Sequence, residues 1–181
     1  MNDPLDLKKF IRTVNDFPID GIVFRDITSL IETPEAFIKT CDELTKITKE
    51  FGAEIVASIE SRGFIFAGTI ARDLSLPFVL ARKPGKLPNE TFQKSFNLEY
   101  GSTSIEIQKN TNIRKGQKIV IVDDLVATGG TAIACADLLT ENFNVSNEDI
   151  LILSIIDLTE LGGSSLIREK GFSIKTIVDY D

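Results

Sequence analysis

Two adjacent carboxylates, Asp123 and Asp124, stand shortly before a turn of hydroxyl and glycine residues, Thr128-Gly129-Gly130-Thr131. Four β-branched residues at 119–122 precede the acids and predict a strand buried on both faces, and residues 132–136 begin a helix. A strand, a glycine-rich turn and a helix N-terminus form a cradle for an anion, because backbone N–H groups there lack partners and the helix dipole favours negative charge. The pattern therefore predicts a phosphate site in this turn.

The two acids would repel a phosphate, so their carboxylates are better suited to accept hydrogen bonds from sugar hydroxyls or to face a divalent cation. A solvated acidic turn is the alternative, and it is weakened because the acids end a buried strand. No Gly-Lys-Ser/Thr follows the glycines and no G-x-G-x-x-G is present, which excludes a Walker P-loop and a dinucleotide fingerprint. A turn that uses glycine only for tightness would explain the glycines but not the whole register.

Composition limits the classes of function. The chain has 181 residues, a net charge of −7 and no histidine. This length suits one α/β domain, and the acidity argues against nucleic-acid partners, which need clustered Lys and Arg. No apolar run reaches the roughly 18 residues of a membrane span and the N-terminus is not signal-like, so we expect a cytoplasmic protein with no membrane partner. Without histidine, acid–base chemistry must come from Asp, Glu, Lys or Tyr.

The hydrophobic pattern predicts strands alternating with helices, and hence an α/β fold with a parallel sheet. Apolar runs predict its strands at 54–59, 76–81, 119–122, 150–156 and, at an edge, 174–178. Apolar spacing and cap residues predict helices over about 4–14, from Thr33-Pro34 to Gly52, over 64–72, from 132 onward and over 164–170. Residues 92–100 and 102–107 predict an antiparallel hairpin.

Four further stretches precede the turn in this order: Val23-Phe24-Arg25-Asp26, Glu60-Ser61-Arg62-Gly63-Phe64, the basic loop at 82–88, and Leu98-Glu99-Tyr100-Gly101. Together with residues 122–131 the set resembles the type I phosphoribosyltransferases, and the last two stretches narrow it to the adenine branch. The resemblance covers nearly the whole chain. Glu60 stands where some members carry aspartate, and we expect little consequence, because the backbone there, rather than the side chain, would face pyrophosphate.

The resemblance implies the type I phosphoribosyltransferase fold: a central, mostly parallel sheet flanked by helices, with a small N-terminal hood and a flexible β-hairpin loop. It implies one domain over 1–181, in which 1–32 form a base-binding hood and 33–181 the core. The implied reaction of purine salvage converts adenine and phosphoribosyl pyrophosphate (PRPP) to AMP and pyrophosphate. Mg²⁺ is the implied cofactor, bound mainly through PRPP and water near Asp123 and Asp124. A homodimer is implied because the basic loop of relatives reaches the neighbouring subunit's site.

The resemblance also implies a role for each motif. Asp123 and Asp124 would take the ribose hydroxyls, and a strained or cis peptide near Glu60-Ser61 would aim backbone donors at the leaving group. The 5′-phosphate would be bound by Ala127, Thr128, Gly129, Gly130 and Thr131. The pyrophosphate would be met by Arg62 and by the basic loop with Arg82, Lys83 and Lys86, and Tyr100 would help close the active site.

Glu99 is the implied proton-handling group, a carboxylate near the base N7 that accepts a proton as N9 attacks. From the sequence alone, an exposed strand glutamate would be the better interpretation, and the Leu-Glu-Tyr-Gly match reverses that order. Val23 and Arg25 would recognise adenine through backbone groups, with Phe24 stacked on the purine. A strand in the core is the alternative for Val23 and Phe24.

Two other functions compete with adenine transfer. The same scaffold could act on xanthine, guanine or hypoxanthine, because base choice depends on backbone geometry around residues 23–25. A PRPP-sensing transcriptional regulator would need a DNA-reading element and a basic surface. The segment before Phe17 predicts one helix only and the net charge is negative, which disfavours the regulator.

Overall fold

The computed structural model describes residues 3–98 and 101–181, and its elements alternate largely as expected for an α/β chain. The strands are β1 (Arg12–Asn15), β2 (Val23–Asp26), β3 (Ile55–Ile59), β4 (Phe78–Ala81), β5 (Thr91–Leu98), β6 (Gly101–Gln108), β7 (Ile119–Val126), β8 (Ile150–Leu158) and β9 (Ser173–Tyr180). The helices are α1 (Thr28–Glu32), α2 (Pro34–Phe51), α3 (Gly63–Leu74), α4 (Gly130–Phe143) and α5 (Gly163–Glu169), and short 3-10 turns cover Lys8–Phe10, Asn147–Asp149 and Thr159–Leu161.

The central sheet has the order β4-β3-β7-β8-β9, and every pair in it is parallel. The predicted parallel sheet is confirmed, and β9 lies at an edge as expected. Alternate residues of the inner strands pack on opposite faces. Ile55 and Ile119 join the cluster that includes α4, whereas Val56 and Val120 join the cluster that includes α2 and α3. Burial on both faces explains why these strands are continuous apolar runs.

Two boundaries differ from the sequence prediction near the glycine turn. β7 does not stop at residue 122 but continues through Asp123 and Asp124 to Val126, because Asp123 and Leu125 still pair with β8. The helix that follows begins at Gly130 instead of residue 132. The acids therefore lie within the last part of the strand, where the backbone fixes their direction, and the turn is only three residues long.

The predicted helix over residues 4–14 is wrong. The Asp3 carboxylate accepts hydrogen bonds from the N–H groups of Leu7 (2.7 Å) and Lys8 (2.9 Å), and only a short 3-10 turn follows. Residues Arg12–Asn15 instead form β1, which pairs antiparallel with β2. Leu7 and Ile11 are buried as the helical spacing required, but Val14 is 37% exposed. Pairing with β2 has overridden the local pattern.

The predicted antiparallel hairpin is confirmed as β5 and β6. The backbone of Arg82, just after β4, exchanges hydrogen bonds with Glu106 on β6. This bridge fixes the base of the hairpin beside the carboxyl ends of the central strands. Among the residues that the structure describes, no helix is both long and apolar enough to cross a membrane.

Candidate active site

Two cavities adjoin at the carboxyl ends of the central strands, where parallel α/β sheets commonly bind ligands. The inner cavity, of about 430 Å³, lies among the ends of β3, β4 and β7 and the β5–β6 hairpin. The outer cavity, of about 520 Å³, lies between β2 and the ends of β8 and β9. Arg62 and Leu125 line both of them. The site can therefore hold two chemically different groups side by side.

The glycine turn forms a third, smaller cavity of about 220 Å³ next to the inner one. Gly129 has a φ of +79°, which favours glycine, and its carbonyl accepts the N–H of Ile133. The N–H groups before Ile133 are the first of α4 and have no partner within the helix. This geometry suits an anion such as a phosphate.

Gly163, at the start of α5, packs directly on the glycine turn. Its N–H donates to the carbonyl of Ala127 at 3.1 Å. A Cβ atom on Gly163 would overlap that carbonyl oxygen and would lie 2.6 Å from the backbone nitrogen of Gly129. Only glycine therefore allows α5 to support the turn from behind.

The two acids have different surroundings. Asp124 is 4% exposed, and its Oδ2 lies 2.6 Å from Nε of Arg62. Asp123 is half-buried, and its Oδ1 accepts the N–H of Asp124 at 2.9 Å. The pKa of Asp123 is raised well above its usual value. The main cause is burial of its carboxyl group, and the second is the neighbouring negative charge of Asp124. An approaching hydroxyl donor or cation would stabilise the ionised form of Asp123.

Replacing Asp123 with asparagine should stabilise the fold and weaken the binding of PRPP, the substrate that the resemblance implies. A carboxyl whose pKa is raised by folding holds its proton more tightly in the folded protein, so stability falls as the pH rises from the unfolded pKa, 3.8, to the folded one. Asp123→Asn removes this loss, so its Tm at pH 7 should exceed that of the parent. Each kcal/mol gained in the free energy of unfolding should raise the Tm by about 2–4 °C. The gain should shrink as the pH falls towards 3.8.

PRPP affinity, titrated by calorimetry, should fall roughly tenfold in the same variant, because a charged hydrogen-bond acceptor is lost. Asp42→Asn, an exposed substitution on α2, is the matched control for both measurements. Unchanged PRPP affinity would remove Asp123 from the ribose site, and a lower Tm at pH 7 would contradict the raised pKa.

The outer cavity combines aromatic rings with a guanidinium group. Phe24 contacts Phe17 edge to face, with centroids 5.1 Å apart, and Cζ of Arg62 lies 5.4 Å from the Phe24 ring centroid. Cζ of Arg25 lies 4.0 Å from the ring centroid of Tyr180, and its Nη1 donates to Thr13. A cavity of this size with ring faces is suited to a flat heterocycle.

Tyr180→Ala should raise the KM for adenine, the base that the resemblance implies, about fivefold, because the ring that holds the Arg25 side chain is lost and cation–π contacts contribute roughly 0.5–2 kcal/mol. Steady-state kinetics with adenine varied at saturating PRPP would measure this change. Tyr180→Phe keeps the ring and is the control expected to match the parent. If the alanine variant also matches the parent, Tyr180 does not contribute to base binding.

The basic loop lies at the inner cavity, but its three cations differ in position. Arg82 and Lys83 line the cavity together with Glu60, Ser61 and Arg62. Lys86 is exposed and is not part of the lining. The Glu60–Ser61 peptide bond is cis, as the resemblance implies. The structure thus brings both stretches assigned to pyrophosphate, residues 60–64 and the basic loop, to one wall of the inner cavity.

The sequence and the structure were compared with those of known proteins. The phosphoribosyl transferase domain model matches residues 29–156. The adenine phosphoribosyltransferase of Novosphingobium aromaticivorans is 46% identical over 176 residues, which cover 97% of this chain and 96% of the relative. The crystal structure of the enzyme from Thermoanaerobacter pseudethanolicus superposes with a TM-score of 0.87 at 38% identity, covering 96% of this chain and 98% of that one. The Giardia lamblia enzyme, complexed with 9-deazaadenine, has a TM-score of 0.91 at 32% identity, covering 100% and 99%.

The chain belongs to the adenine phosphoribosyltransferase family. Its type I phosphoribosyltransferase fold follows from the parallel sheet together with these similarities. Of the residues predicted for the site, the structure brings most to the cavities described above: Val23, Phe24, Arg25, Arg62, Lys83, Asp123, Asp124 and residues 127–131. Glu99 and Tyr100 lie outside the described residues, and their assigned roles stay predictions.

Three contributions to this adenine phosphoribosyltransferase site were missed in the sequence. Tyr180 ends the last strand of a parallel sheet, and that position could have been recognised as the functional edge. The role of Gly163 was not predicted, although two adjacent glycines, Gly162 and Gly163, precede the predicted helix over 164–170. The Glu60 side chain was expected to matter little, yet it contacts the basic loop at two points.

Proposed function

We propose that the chain transfers the 5-phosphoribosyl group of PRPP to adenine, forming AMP and pyrophosphate in purine salvage. The observation that carries this proposal is the pair of adjoining cavities, which share Arg62 and Leu125. One is lined by acids and cations next to an anion cradle, and the other by aromatic rings. The chain's membership of the adenine phosphoribosyltransferase family supplies the identity of the two substrates.

Different residues bind different parts of the PRPP molecule. Residues 127–131 bind the 5′-phosphate through backbone N–H groups and hydroxyls, and Asp123 and Asp124 accept hydrogen bonds from the ribose hydroxyls. Arg62, Lys83 and Lys86 attract the pyrophosphate. As pyrophosphate leaves, the anomeric carbon becomes cation-like. The negative carboxylates beside the sugar stabilise that positive charge electrostatically.

The purine lies in the outer cavity against Phe24, with backbone groups of Val23 and Arg25 as its polar contacts. Glu99 accepts a proton from the base as N9 attacks, and Tyr100 closes the site over the substrates. Residues 1–32 act as the hood over the base, and residues 33–181 form the core. We assign the whole chain to one domain.

Mg²⁺ fits the donors that the chain offers if PRPP supplies most of its ligands. Among the described residues, no group of three or more acidic or cysteine side chains could hold a metal ion. Asp124 is engaged by Arg62, whereas Asp123 gains from a nearby cation because its ionised form is disfavoured. When bound, the cation neutralises charge on the pyrophosphate.

We also propose that the protein is a cytoplasmic homodimer. The resemblance supports the dimer, because it implies that the basic loop reaches the neighbouring subunit's site, as in relatives. Exposed apolar side chains on α2, α3 and β4 offer surface for a partner copy: Ile38, Ile65 and Phe78. Sedimentation at micromolar concentration would test it, and a single species of 20.0 kDa would contradict it.

Incubation with PRPP, Mg²⁺ and each of four purines, followed by chromatography of the nucleotides, tests the function. We expect AMP from adenine at a far higher kcat/KM than nucleotides from guanine, hypoxanthine or xanthine. Adenine turnover no better than that of the other purines would refute the substrate assignment. Salt-sensitive binding to duplex DNA without turnover would instead favour the regulator.

A further inference from the structure

The Glu60 carboxylate connects the end of β3 to the basic loop. Its Oε1 lies 2.6 Å from Nη2 of Arg82, and its Oε2 accepts the backbone N–H of Lys83 at 3.2 Å. The Glu60 side chain is 18% exposed, so solvent screens this ion pair only partly. The hydrogen bond from Arg82 lowers the pKa of Glu60, which is therefore ionised at neutral pH.

Arg82 also makes hydrogen bonds within the basic loop and to β6. Its Nη1 donates to the carbonyl of Lys86 at 2.9 Å, which closes the loop on itself. Its backbone exchanges hydrogen bonds with Glu106, and the Glu106 carboxylate accepts the N–H of Gly85 at 3.2 Å. Two carboxylates from different elements thus determine the shape of residues 82–86.

The remaining cations of the loop are available to an anion. Lys83 and Lys86 are exposed, and within residues 3–98 and 101–181 neither side chain makes an ion pair. Glu60, Arg82 and Lys83 line the same cavity as Asp123. Arg82 is the cation that Glu60 neutralises, which leaves the lysines to attract pyrophosphate.

We propose that Glu60 is a positioning residue for pyrophosphate recognition, acting through Arg82 and the Lys83 N–H to hold the basic loop against the inner cavity. The inference rests on the proposed function and adds to it a residue whose side chain was expected to have little effect. A binding loop held in its bound shape loses less entropy when the ligand arrives.

The opposite effect of Glu60 is physically possible, which makes the sign of the result decisive. A carboxylate in the lining of the cavity repels an incoming pyrophosphate. If repulsion dominated, removing the charge would tighten PRPP and pyrophosphate binding. If loop positioning dominates, removing it weakens both.

The test compares Glu60→Gln with the parent in two measurements: steady-state kinetics and calorimetric titration with inorganic pyrophosphate and Mg²⁺. We expect the KM for PRPP and the Kd for pyrophosphate to rise roughly tenfold, with kcat and the KM for adenine within about twofold. Glu60→Asp, which keeps the charge, should recover most of the loss. Because the pyrophosphate titration needs no turnover, it tests Glu60 even if the proposed reaction is wrong.

The matched control is Glu54→Gln. Glu54 lies just before β3, as Glu60 lies just after it, and the Oε2 of Glu54 accepts the N–H of Lys118. This substitution should leave every constant unchanged. In an Arg82→Gln background, Glu60→Gln should add at most about twofold, because the ion pair with Arg82 is already lost and a glutamine oxygen can still accept the Lys83 N–H. Equal or tighter pyrophosphate binding in Glu60→Gln, or a full additional loss in the Arg82→Gln background, would overturn the proposal.

Discussion

Glu99→Gln should lower kcat by about 10²–10⁴-fold, the range that general acid–base catalysis contributes. The chain has no histidine, and we propose that the Glu99 carboxylate accepts the proton that leaves the base as N9 attacks. Glutamine keeps the size of the side chain and its hydrogen-bonding capacity but cannot take that proton. PRPP affinity should change little, because the proposed role of Glu99 lies in the chemical step.

Single-turnover kinetics with saturating PRPP would measure the chemical step directly, and calorimetry would measure PRPP binding. Glu90→Gln is the matched control, since Glu90 precedes the same hairpin and pairs only with Lys109 among the described residues. That control should keep the parent's rate. A normal single-turnover rate in Glu99→Gln would exclude Glu99 from proton transfer.

Gly163→Ala should lower kcat/KM for PRPP by about 10²-fold, the effect of a misplacement of roughly 1 Å at a reacting group. The added methyl group would overlap the carbonyl oxygen of Ala127, so either α5 or the glycine turn must move. In either case the N–H groups that we propose to bind the 5′-phosphate lose their alignment. The loss should appear in PRPP binding and leave adenine binding largely unaffected.

Gly68→Ala is the control for this substitution. Gly68 lies within α3, and a Cβ atom there would meet nothing within 4 Å. Alanine favours the helix by roughly 0.5–1 kcal/mol over glycine, so this variant should be at least as stable as the parent and fully active. Parent-like PRPP kinetics in Gly163→Ala would mean that the turn does not need its support from α5.

The fold was predictable where local signals agree with tertiary contacts. α2 has Pro34 at its first position, and Gly52, in the left-handed conformation, caps its C-terminus, as its sequence indicates. The segment before Val14 shows the opposite case. Its apolar residues have helical spacing, but the strand pairing between β1 and β2 joins residues 8 to 14 positions apart, from Asn15 with Val23 to Arg12 with Asp26, and determines the structure. No local pattern contains that information.

The site was predictable at the level of motifs but not of contacts. The glycine turn, Asp123, Asp124 and Arg62 were found because each follows a predicted strand. The pairing of Arg62 with Asp124, 62 residues away, and that of Glu60 with Arg82 depend on which strands become neighbours. The raised pKa of Asp123 likewise follows from burial in the assembled sheet.

The common wall of the two cavities has a practical consequence for inhibitor design. Because Arg62 and Leu125 line both cavities, one molecule could place an aromatic head in the outer cavity and an anionic tail in the inner one. The linker would need to pass these two residues and to tolerate a guanidinium group. Linking the two fragments would make the second binding event intramolecular, which can improve affinity by about 10²–10⁴-fold without new contacts.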